Sequence, residues 1–495
     1  MSLKTIARTK TALFAGIATL SLSACASVPG ANVDPGAPIT AEEAQLGAQY
    51  HPQFVAEFGG EMTGPQATYV RQIGQNIAVQ SGLSGARNDF TVTLLNSSVN
   101  NAFAVPGGYV YITRQLVTLM NNEAELAAVL GHEVGHVAAR HSARRQAAAQ
   151  RNSILGVLGA VVTGAVLGNN PLGQQLQQGL LQGSQLLTLQ YSRNQELEAD
   201  ALGVQYLNSA GYDPRAMGTV LQSLAAQNQL DASLQGRNAT IPEWASTHPD
   251  PASRVQNAFN LAQQTGVSGV TNRDTFLTRI DGTLYGDDPE QGVIEGRTFI
   301  HPELRLSFTA PEGFYMINST RAVSINGNGG QAQLTTAAYN GNLESYVTQV
   351  FAGLGNEQQQ VRPQAIQRTS VNGLNAAVGQ SRVNTGQDTV DVTVYAYEFS
   401  NSQAFHFIAI TPAGQSNVFG SMYNSMRRIS AAEAAQVIPR RIDVVTARSG
   451  DTVQSMASRM AYDRGQEARF RVLNGMGSSD RVVAGQKYKI VIRAN

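Results

Sequence analysis

Apolar residues recur at helical spacing over a long stretch that begins at Asn122. No proline interrupts this stretch before Arg140, and Asn122 can cap a helix whose third residue is Glu125. The apolar positions are Leu126, Val129, Leu130, Val134 and Val137. The pattern predicts one buried helix over residues 122–141.

The preceding region shows both helical and alternating patterns. Apolar spacing predicts helices over residues 40–58 and 65–80, separated by Gly59-Gly60. Alternation predicts strands over residues 90–95 and 102–113. The sequence Pro106-Gly107-Gly108 inside the second strand places that strand at a sheet edge or bulge, and a hairpin turn at the same residues is an equal alternative.

Residues 142–190 are nearly uncharged after Arg151, and residues 154–167 are their most apolar part. This run is shorter than the roughly 20 residues that cross a bilayer. We predict two helices that cover a cleft or face a membrane or partner. Core packing and an assembly interface are the alternatives.

The composition changes beyond residue 270. Alternation predicts strands over 304–308, 331–337, 390–397 and 405–410, around helices over 343–354 and 416–426. An α+β domain over residues 298–430 follows from this pattern. An amphipathic helix that contains Met456, Ala457 and Met460 is expected within residues 441–495.

The length and charge of the chain exclude some classes of protein. A chain of 495 residues, 42% of them hydrophobic, is large enough for two or three domains. It carries 35 basic and 35 acidic residues, so no cationic surplus drives binding to nucleic acid or to anionic membranes.

The N-terminus carries a targeting pattern. Lys4, Arg8 and Lys10 precede an apolar run over residues 11–22, and small residues then lead to Cys25. This predicts a lipoprotein signal peptide over residues 1–24, lipidation of Cys25, and a Pro-rich tether over residues 25–39. Cys25 is the only cysteine, which excludes a disulfide within the chain. An ordinary secretory signal with an incidental cysteine is the alternative.

The candidate chemistry lies in the central helix, in the sequence His132-Glu133-Val134-Gly135-His136. Histidines four residues apart share a helix face and can bind one metal ion, while Glu133 is offset enough to reach a water molecule. Zinc suits this arrangement because it accepts three protein ligands and leaves one position open. The alternative is a surface helix with an accidental match.

A second acidic segment supplies a third ligand. Residues 191–206 read as a helix on which Glu196 and Asp200 share a face, whereas Glu198 points elsewhere. We expect Glu196 to bind the metal ion and Asp200 to accept an N–H from a ligating histidine. An acidic, solvated helix face is the alternative.

These motifs resemble a known family. The pair of segments His132-Glu133-x-x-His136 and Ser192-Arg193-x-x-Glu196-x-Glu198-Ala199-Asp200 is similar to zinc metallopeptidases of the CAAX prenyl protease, HtpX, Oma-type and BepA kind. The resemblance covers roughly residues 40–265 and includes Thr247-His248-Pro249 with Arg254. It implies a mainly helical zincin-type domain over residues 40–270 with a small edge β-sheet, one Zn2+ per chain and endopeptidase activity.

The resemblance also implies further site residues. Asn101, Ala102, Phe103 and Ala104 would bind substrate along a strand edge. His248 would either latch the resting zinc or stabilise the oxyanion, and Arg254 would orient Asp200 or another carboxylate. His141 is expected half a turn off the ligand face, and the remaining histidines, His51, His301 and His406, lack partners at metal-ligand spacing.

Two C-terminal segments carry weaker resemblances. Residues 308–314 resemble PsbP and Mog-type binding modules. Residues 441–495, with Ser449-Gly450-Asp451-Thr452 and Leu473-Asn474-Gly475, resemble the βααβ LysM module that binds peptidoglycan. Residues 461–468 depart from the compact LysM pattern, which puts glycan binding in question more than the fold.

The resulting prediction is an α+β lipoprotein that hydrolyses misfolded or misassembled envelope proteins. Ala26 in place of an aspartate indicates the periplasmic face of the outer membrane, with acylated Cys25 in its lipid. A chaperone or assembly scaffold with latent protease activity is the alternative. A metalloenzyme that acts on peptidoglycan is a third possibility.

Overall fold

A computed structural model describes residues 34–144, 191–235, 248–354, 360–384 and 388–494. The predicted signal peptide, the lipidated Cys25 and the apolar run over residues 154–167 lie outside these ranges. No helix within them has the length and apolar character of a membrane-spanning segment.

The first part of the chain is mainly helical. Its helices are α1 (Ala41–Glu57), α2 (Pro65–Ala78), α3 (Arg114–Leu119), α4 (Glu123–Ala138), α5 (Arg193–Ser209), α6 (Ala216–Gln235), α7 (Pro251–Gln264) and α8 (Arg273–Ile280). Short 3-10 helices occur at Val79–Ser81 and Arg87–Asp89. Every residue of α4 is buried, and α2, α5, α6 and α8 contact it. The candidate motif therefore lies on the central helix of this core.

The prediction that α4 continues to residue 141 is wrong. The helix ends at Ala138, and Arg140 adopts a left-handed conformation with φ of 56°. Such a backbone conformation is costly for a residue with a Cβ. The Arg140 guanidinium compensates by pairing with buried Glu43 at 2.7 Å and by donating to the carbonyl of Ala37 at 2.8 Å. Helical structure resumes at His141, directly after this turn.

A three-stranded sheet packs beside α4. Its strands are β1 (Thr91–Leu95), β2 (Ala102–Val105) and β3 (Tyr109–Thr113), in the order β1-β3-β2. The predicted single strand over residues 102–113 is instead a hairpin whose turn contains Gly107 and Gly108, both with positive φ. A Cβ on Gly107 would lie 2.4 Å from the Glu43 carbonyl oxygen, so only glycine fits. Strand β2 lies at the sheet edge.

The accessory region contains larger sheets than the small edge sheet predicted for the chain. The strands are β5 (Val293–Glu295), β6 (Thr298–His301), β7 (Leu306–Thr309), β8 (Tyr315–Asn318), β9 (Val323–Gly327), β10 (Gly330–Thr336), β11 (Ile366–Val371), β12 (Leu374–Asn384), β13 (Thr389–Ser400), β14 (Gln403–Pro412) and β15 (Arg427–Arg428). The four-stranded sheet has the order β15-β7-β6-β5, and the seven-stranded sheet has the order β11-β12-β13-β14-β10-β9-β8.

Helices cover both faces of the seven-stranded sheet. Helix α9 (Leu343–Gly353) packs on β12 and β13 within one apolar cluster, and α10 (Gly420–Ser425) belongs to another that includes Phe407. Short helices occur at Pro289–Gln291, Ser416–Phe419 and α11 (Ala431–Ala435). The mixed α+β character predicted for this region is confirmed, although strands β5, β6, β8, β9, β11, β12 and β15 were not predicted.

The last segment consists of β16 (Arg440–Thr446), α12 (Val453–Ala457), α13 (Gln466–Leu473) and β17 (Lys487–Arg493). The strands pair antiparallel, and β4 (Leu284–Tyr285) adds a third strand beside β16. Lys489 of β17 is fully buried against the first part of the chain. Its ammonium group donates to the carbonyls of Thr118, Leu119 and Met120 at 2.8, 3.2 and 2.5 Å. Glycan binding by this LysM-like segment stays a prediction.

Candidate metal centre

Helix α4 supplies the first three side chains of the site. The Asn122 side chain accepts the Glu125 N–H at 2.9 Å, which starts the helix as its sequence predicts. His132, Glu133 and His136 follow on α4 and are at most 2% exposed. Three ionisable groups on a core helix require partners, because burying an uncompensated polar group is costly.

Helix α5 brings two carboxylates to the histidines. It starts at a capping box formed by Ser192 and Gln195, and it buries Glu196 and Asp200 completely. Glycines let the two helices approach closely. A Cβ on Gly203 would lie 3.2 Å from the backbone nitrogen of His132, and one on Gly135 would lie 3.1 Å from the Ala199 carbonyl oxygen.

Four side chains converge at one buried point. His132, His136, Glu196 and His248, here called the donor cluster, each offer one ligand atom, and these atoms lie within 4.8 Å of one another. The His132 Nε2 atom is 3.0 Å from His136 Nε2 and 3.2 Å from His248 Nδ1. His136 Nε2 is 3.4 Å from the Glu196 carboxylate.

The donor cluster fits a single divalent cation. His132 Nδ1 is 2.9 Å from Asp200, and His136 Nδ1 is 2.8 Å from His141 Nδ1. These contacts assign the ring protons to Nδ1 and leave an Nε2 lone pair on each histidine facing the other. Ligand nitrogens in a tetrahedral zinc site lie roughly 3.3 Å apart, as Zn–N distances of about 2.0–2.1 Å require. Two facing lone pairs beside a carboxylate therefore suit a bound metal ion.

Buried charges lie around the donor cluster. Burial alone would raise the pKa of Glu196, but nearby His248 and His136 hold it well below its usual range. Arg254, 1% exposed, pairs with the Glu196 carboxylate and forms a two-pronged pair with Asp200 at 2.8 and 2.5 Å. Asp200 in turn accepts from His132. Arg254 thus fixes two carboxylates that contact the histidines.

Glu133 is a buried carboxylate with unused acceptor capacity. Neither of its oxygens has a hydrogen-bond partner among the described residues, and His248 Nε2 lies 3.4 Å from Oε1. Burial raises the pKa of Glu133 above its usual range, opposed by His248 and His132. A buried carboxylate in this environment can accept a proton readily.

The loop that carries His248 is followed directly by helix α7. Asp250 caps this helix from a left-handed conformation, and Pro251 occupies its first position. Proline is tolerated at this position, because it lacks only an N–H that would be unpaired within the helix. The same helix carries Arg254 beneath the site.

The predicted substrate residues lie on and next to edge strand β2. Ala102 and Ala104 are buried, and Phe103 packs with Phe54 and Phe58. Asn101 is 1% exposed, and its side-chain nitrogen and oxygen have no hydrogen-bond partner among the described residues.

Edge strand β2 lies close to the donor cluster. Ala104 and His136 line the same small surface pocket. A chain bound along β2 would therefore run next to the donor cluster.

Two residues near the site make contacts that the sequence did not predict. His141 and Glu198 do not belong to the donor cluster, as their spacing predicted, but His141 contacts both His136 and Glu198. The Arg140 turn brings His141 back beneath the site.

The remaining histidines are separate from the donor cluster. His51 contacts the Tyr111 hydroxyl at 2.9 Å, His406 contacts that of Tyr346 at 2.8 Å, and the Leu304 N–H donates to His301 at 3.3 Å.

A buried set of histidines and a carboxylate, with a further carboxylate beside it, defines a metallohydrolase type of site. Residues 65–262 match the model of peptidase family M48. These residues form a domain of peptidase family M48, which confirms the resemblance inferred from the motifs.

Curated relatives share this region. The chain is 34% identical over 226 residues to the beta-barrel assembly-enhancing protease of Yersinia pestis, covering 44% of each protein. It is 32% identical over 219 residues to the protein of that name from Escherichia coli K12, covering 44% of this chain and 43% of that one. It is 30% identical over 218 residues to the mitochondrial metalloendopeptidase OMA1 of Schizosaccharomyces pombe, covering 43% and 59%. The alignments span less than half the length of both bacterial relatives.

Proposed function

We propose that this chain is a zinc-dependent endopeptidase of the cell envelope that hydrolyses misfolded or misassembled envelope proteins. The observation that carries the proposal is the buried donor cluster with Glu133 beside it. His132, His136 and Glu196 are the proposed ligands of one Zn2+, since two imidazoles and a carboxylate are a common ligand set of catalytic zinc.

The side chains have distinct roles in the proposed reaction. A bound zinc ion supplies Lewis acidity and lowers the pKa of the attacking water. Glu133 accepts the proton of that water and then donates it to the leaving amine. Arg254 and Asp200 act as positioning residues, because they hold Glu196 and the His132 ring through hydrogen bonds.

Substrate recognition is proposed to use edge strand β2. A free strand edge binds an extended polypeptide through main-chain hydrogen bonds, which depend little on sequence. Asn101, Ala102, Phe103 and Ala104 are the proposed contacts, and the pocket shared by Ala104 and His136 supports this placement. Unfolded or unassembled chains, which expose their backbone, are suitable substrates for such an edge.

The envelope location rests on the sequence and on the relatives. The lipobox at Cys25 supports acylation and attachment to the periplasmic face of the outer membrane. Two bacterial relatives are named for β-barrel assembly, which supports misassembled outer-membrane proteins as the substrate class. Residues 441–495 are proposed to contact peptidoglycan as LysM modules do.

The position of His248 favours a second candidate function, an assembly scaffold whose protease is largely latent. His248 is 1% exposed, and its ring nitrogen lies 3.1 Å from Glu196 and 3.2 Å from His132 Nε2. From this position His248 can occupy the ligand position that the attacking water needs. We therefore propose that His248 latches the resting site, in preference to a role in stabilising the oxyanion.

Cleavage of unfolded casein by the chain starting at Ala26, with zinc quantified in the same sample, tests the proposed function. We expect about one zinc ion per chain and cleavage that a chelator abolishes and added zinc restores. Absence of zinc from the folded protein would refute the ligand assignment. Zinc without cleavage would favour the latent scaffold.

Substitution of the latch is expected to activate the enzyme. His248→Ala removes the competing nitrogen, so casein cleavage should rise by about tenfold if the latch holds the site closed with ~1.4 kcal/mol. The matched control is His301→Ala in the accessory region, which should cleave at the wild-type rate. Reduced cleavage by His248→Ala at unchanged zinc content would instead assign His248 to the transition state.

A further inference from the structure

A line of polar contacts leads from the donor cluster to the protein surface. His136 Nδ1 lies 2.8 Å from His141 Nδ1, and His141 Nε2 lies 3.1 Å from the Glu198 carboxylate. Arg144 contacts the same carboxylate oxygen at 3.2 Å. His141 is fully buried, whereas 42% of the Glu198 side chain is exposed.

The chemistry of these atoms fixes the direction of the hydrogen bonds. Glu198 is a carboxylate and can only accept, so the neutral His141 ring carries its proton on Nε2. His141 Nδ1 then carries a lone pair, and it accepts a hydrogen bond from the Nδ1–H group of His136. His136 Nε2 is left unprotonated, and this nitrogen faces His132 and Glu196.

We propose that His141 is a positioning residue that holds His136 in the tautomer and ring orientation needed to bind the metal ion, with Glu198 completing the contact. This inference rests on the proposed zinc site. A ligating histidine usually donates its second N–H to a carboxylate, a carbonyl or a water molecule. Here a second imidazole occupies that place.

The fold is built to bring His141 to this position. If α4 continued, His141 would lie five residues beyond His136 and on a different face. The left-handed Arg140 instead breaks the helix and changes the direction of the residues that follow α4, and buried Glu43 holds the Arg140 guanidinium. Gln195 of α5 donates to the His141 carbonyl at 3.3 Å. Both the α4 turn and α5 therefore fix the backbone of His141.

A stacked ring restrains His136 from another side. The Tyr191 ring lies 3.8 Å from the His136 ring, centroid to centroid, at an interplanar angle of 20°. Stacking fixes the plane of the ring, and this plane is the same for the two orientations related by a 180° turn about the Cβ–Cγ bond. The hydrogen bond from Nδ1 to His141 is made in only one of these orientations, the one in which Nε2 faces the donor cluster.

The two ligating histidines are supported in different ways. His132 donates to Asp200, which is fully buried and paired with Arg254. His136 depends on His141 and on a carboxylate that reaches the solvent. Loss of the His141 contact should therefore weaken the metal site without disturbing the buried charges on the other side.

The affinity for zinc tests this inference, measured by competition with a chromogenic chelator on the full chain. In His141→Phe the Nδ1 acceptor is absent, and we expect the zinc dissociation constant to rise by 10- to 100-fold. His141→Gln offers a carbonyl acceptor and should stay within about threefold of wild type. Rescue by this variant separates hydrogen bonding from simple packing. His301→Phe is the matched control and should bind zinc like wild type.

The possible outcomes are distinguishable. Wild-type protein that binds no zinc would refute the proposed function itself. If wild-type protein binds zinc and folded His141→Phe binds it with the same affinity, the role of His141 is overturned. An equal loss of zinc affinity in the Phe and Gln variants would overturn it as well. If His141→Phe does not fold, Glu198→Gln at the exposed end replaces it. That variant should weaken zinc binding by several-fold, and unchanged affinity there would also overturn the inference.

Discussion

Glu133→Gln is expected to lower the rate of casein cleavage by about 10²- to 10⁴-fold, the usual contribution of a general acid–base group. The amide cannot accept the proton of the attacking water or return it to the leaving amine. Because Glu133 is not a proposed metal ligand, zinc should stay near one per chain. Initial rates and zinc content measured on the same preparation provide the test.

The stability of this variant gives an independent expectation. Neither Glu133 oxygen has a hydrogen-bond partner among the described residues, and the side chain is 1% exposed. Replacing a buried carboxylate by a neutral amide removes an unfavourable burial of charge. The apoprotein should therefore unfold at the same temperature as wild type or a higher one, despite its lost activity. Such opposition between stability and activity is typical of catalytic sites.

The control for this substitution is Glu303→Gln, which changes an exposed carboxylate in the accessory region. It should cleave casein at the wild-type rate. Cleavage by Glu133→Gln within threefold of wild type would contradict the proposed role and assign proton transfer to another group. Loss of zinc from Glu133→Gln would contradict the proposed ligand set.

Local sequence signals predicted the central helix well. The Asn122 cap, the uninterrupted apolar spacing and the His132 to His136 interval all lie within about four turns of one helix, so no distant contact is needed to recognise them. Glu196 and Asp200 also share a helix face, and the structure brings both to His132. The Arg254 contacts to these carboxylates link residues 54 to 58 positions apart, and the family motif rather than helical spacing indicated them.

The contact between His136 and His141 was not predicted, for a physical reason. His141 was placed by extending the α4 angle past Ala138, but the backbone leaves the helix before that point. A left-handed arginine is rare, and here it depends on an ion pair with Glu43, 97 residues away. The Glu198 contact depends on the same turn, because its partner is His141. Neither contact could be inferred from spacing alone.

Long-range packing at the C-terminus was likewise invisible in the sequence. The pattern of β17 predicts a strand, and nothing local distinguishes Lys489 from the solvated Lys487 two residues earlier. Yet the Lys489 ammonium donates to carbonyls 369 to 371 residues away, just before helix α4. Burial lowers the pKa of Lys489 to about 7, opposed by buried Glu125 of α4. A lysine from the last strand thus supports the helix of the metal centre.

Lys489→Met should therefore destabilise the first domain as well as the last segment. The variant leaves three buried carbonyls without their shared donor and removes a cation near Glu125, and leaving buried acceptors unsatisfied costs about 1–3 kcal/mol. Glu125 retains the Asn121 N–H at 2.7 Å and the Thr219 hydroxyl at 2.8 Å, so the loss stays below that for an isolated charge. Chemical denaturation of the apoprotein measures the change.

Lys487→Met on the same strand is the matched control, because the Lys487 ammonium donates to the Thr278 hydroxyl at an exposed position and contacts no buried carbonyl among the described residues. Its stability should change by less than about 0.5 kcal/mol. In the double variant Lys489→Met with Glu125→Gln, removal of the second charge should recover part of the lost stability. An unchanged unfolding free energy in Lys489→Met would show that the C-terminal segment does not support helix α4. A loss shared equally by both lysine variants would assign the effect to strand β17 itself.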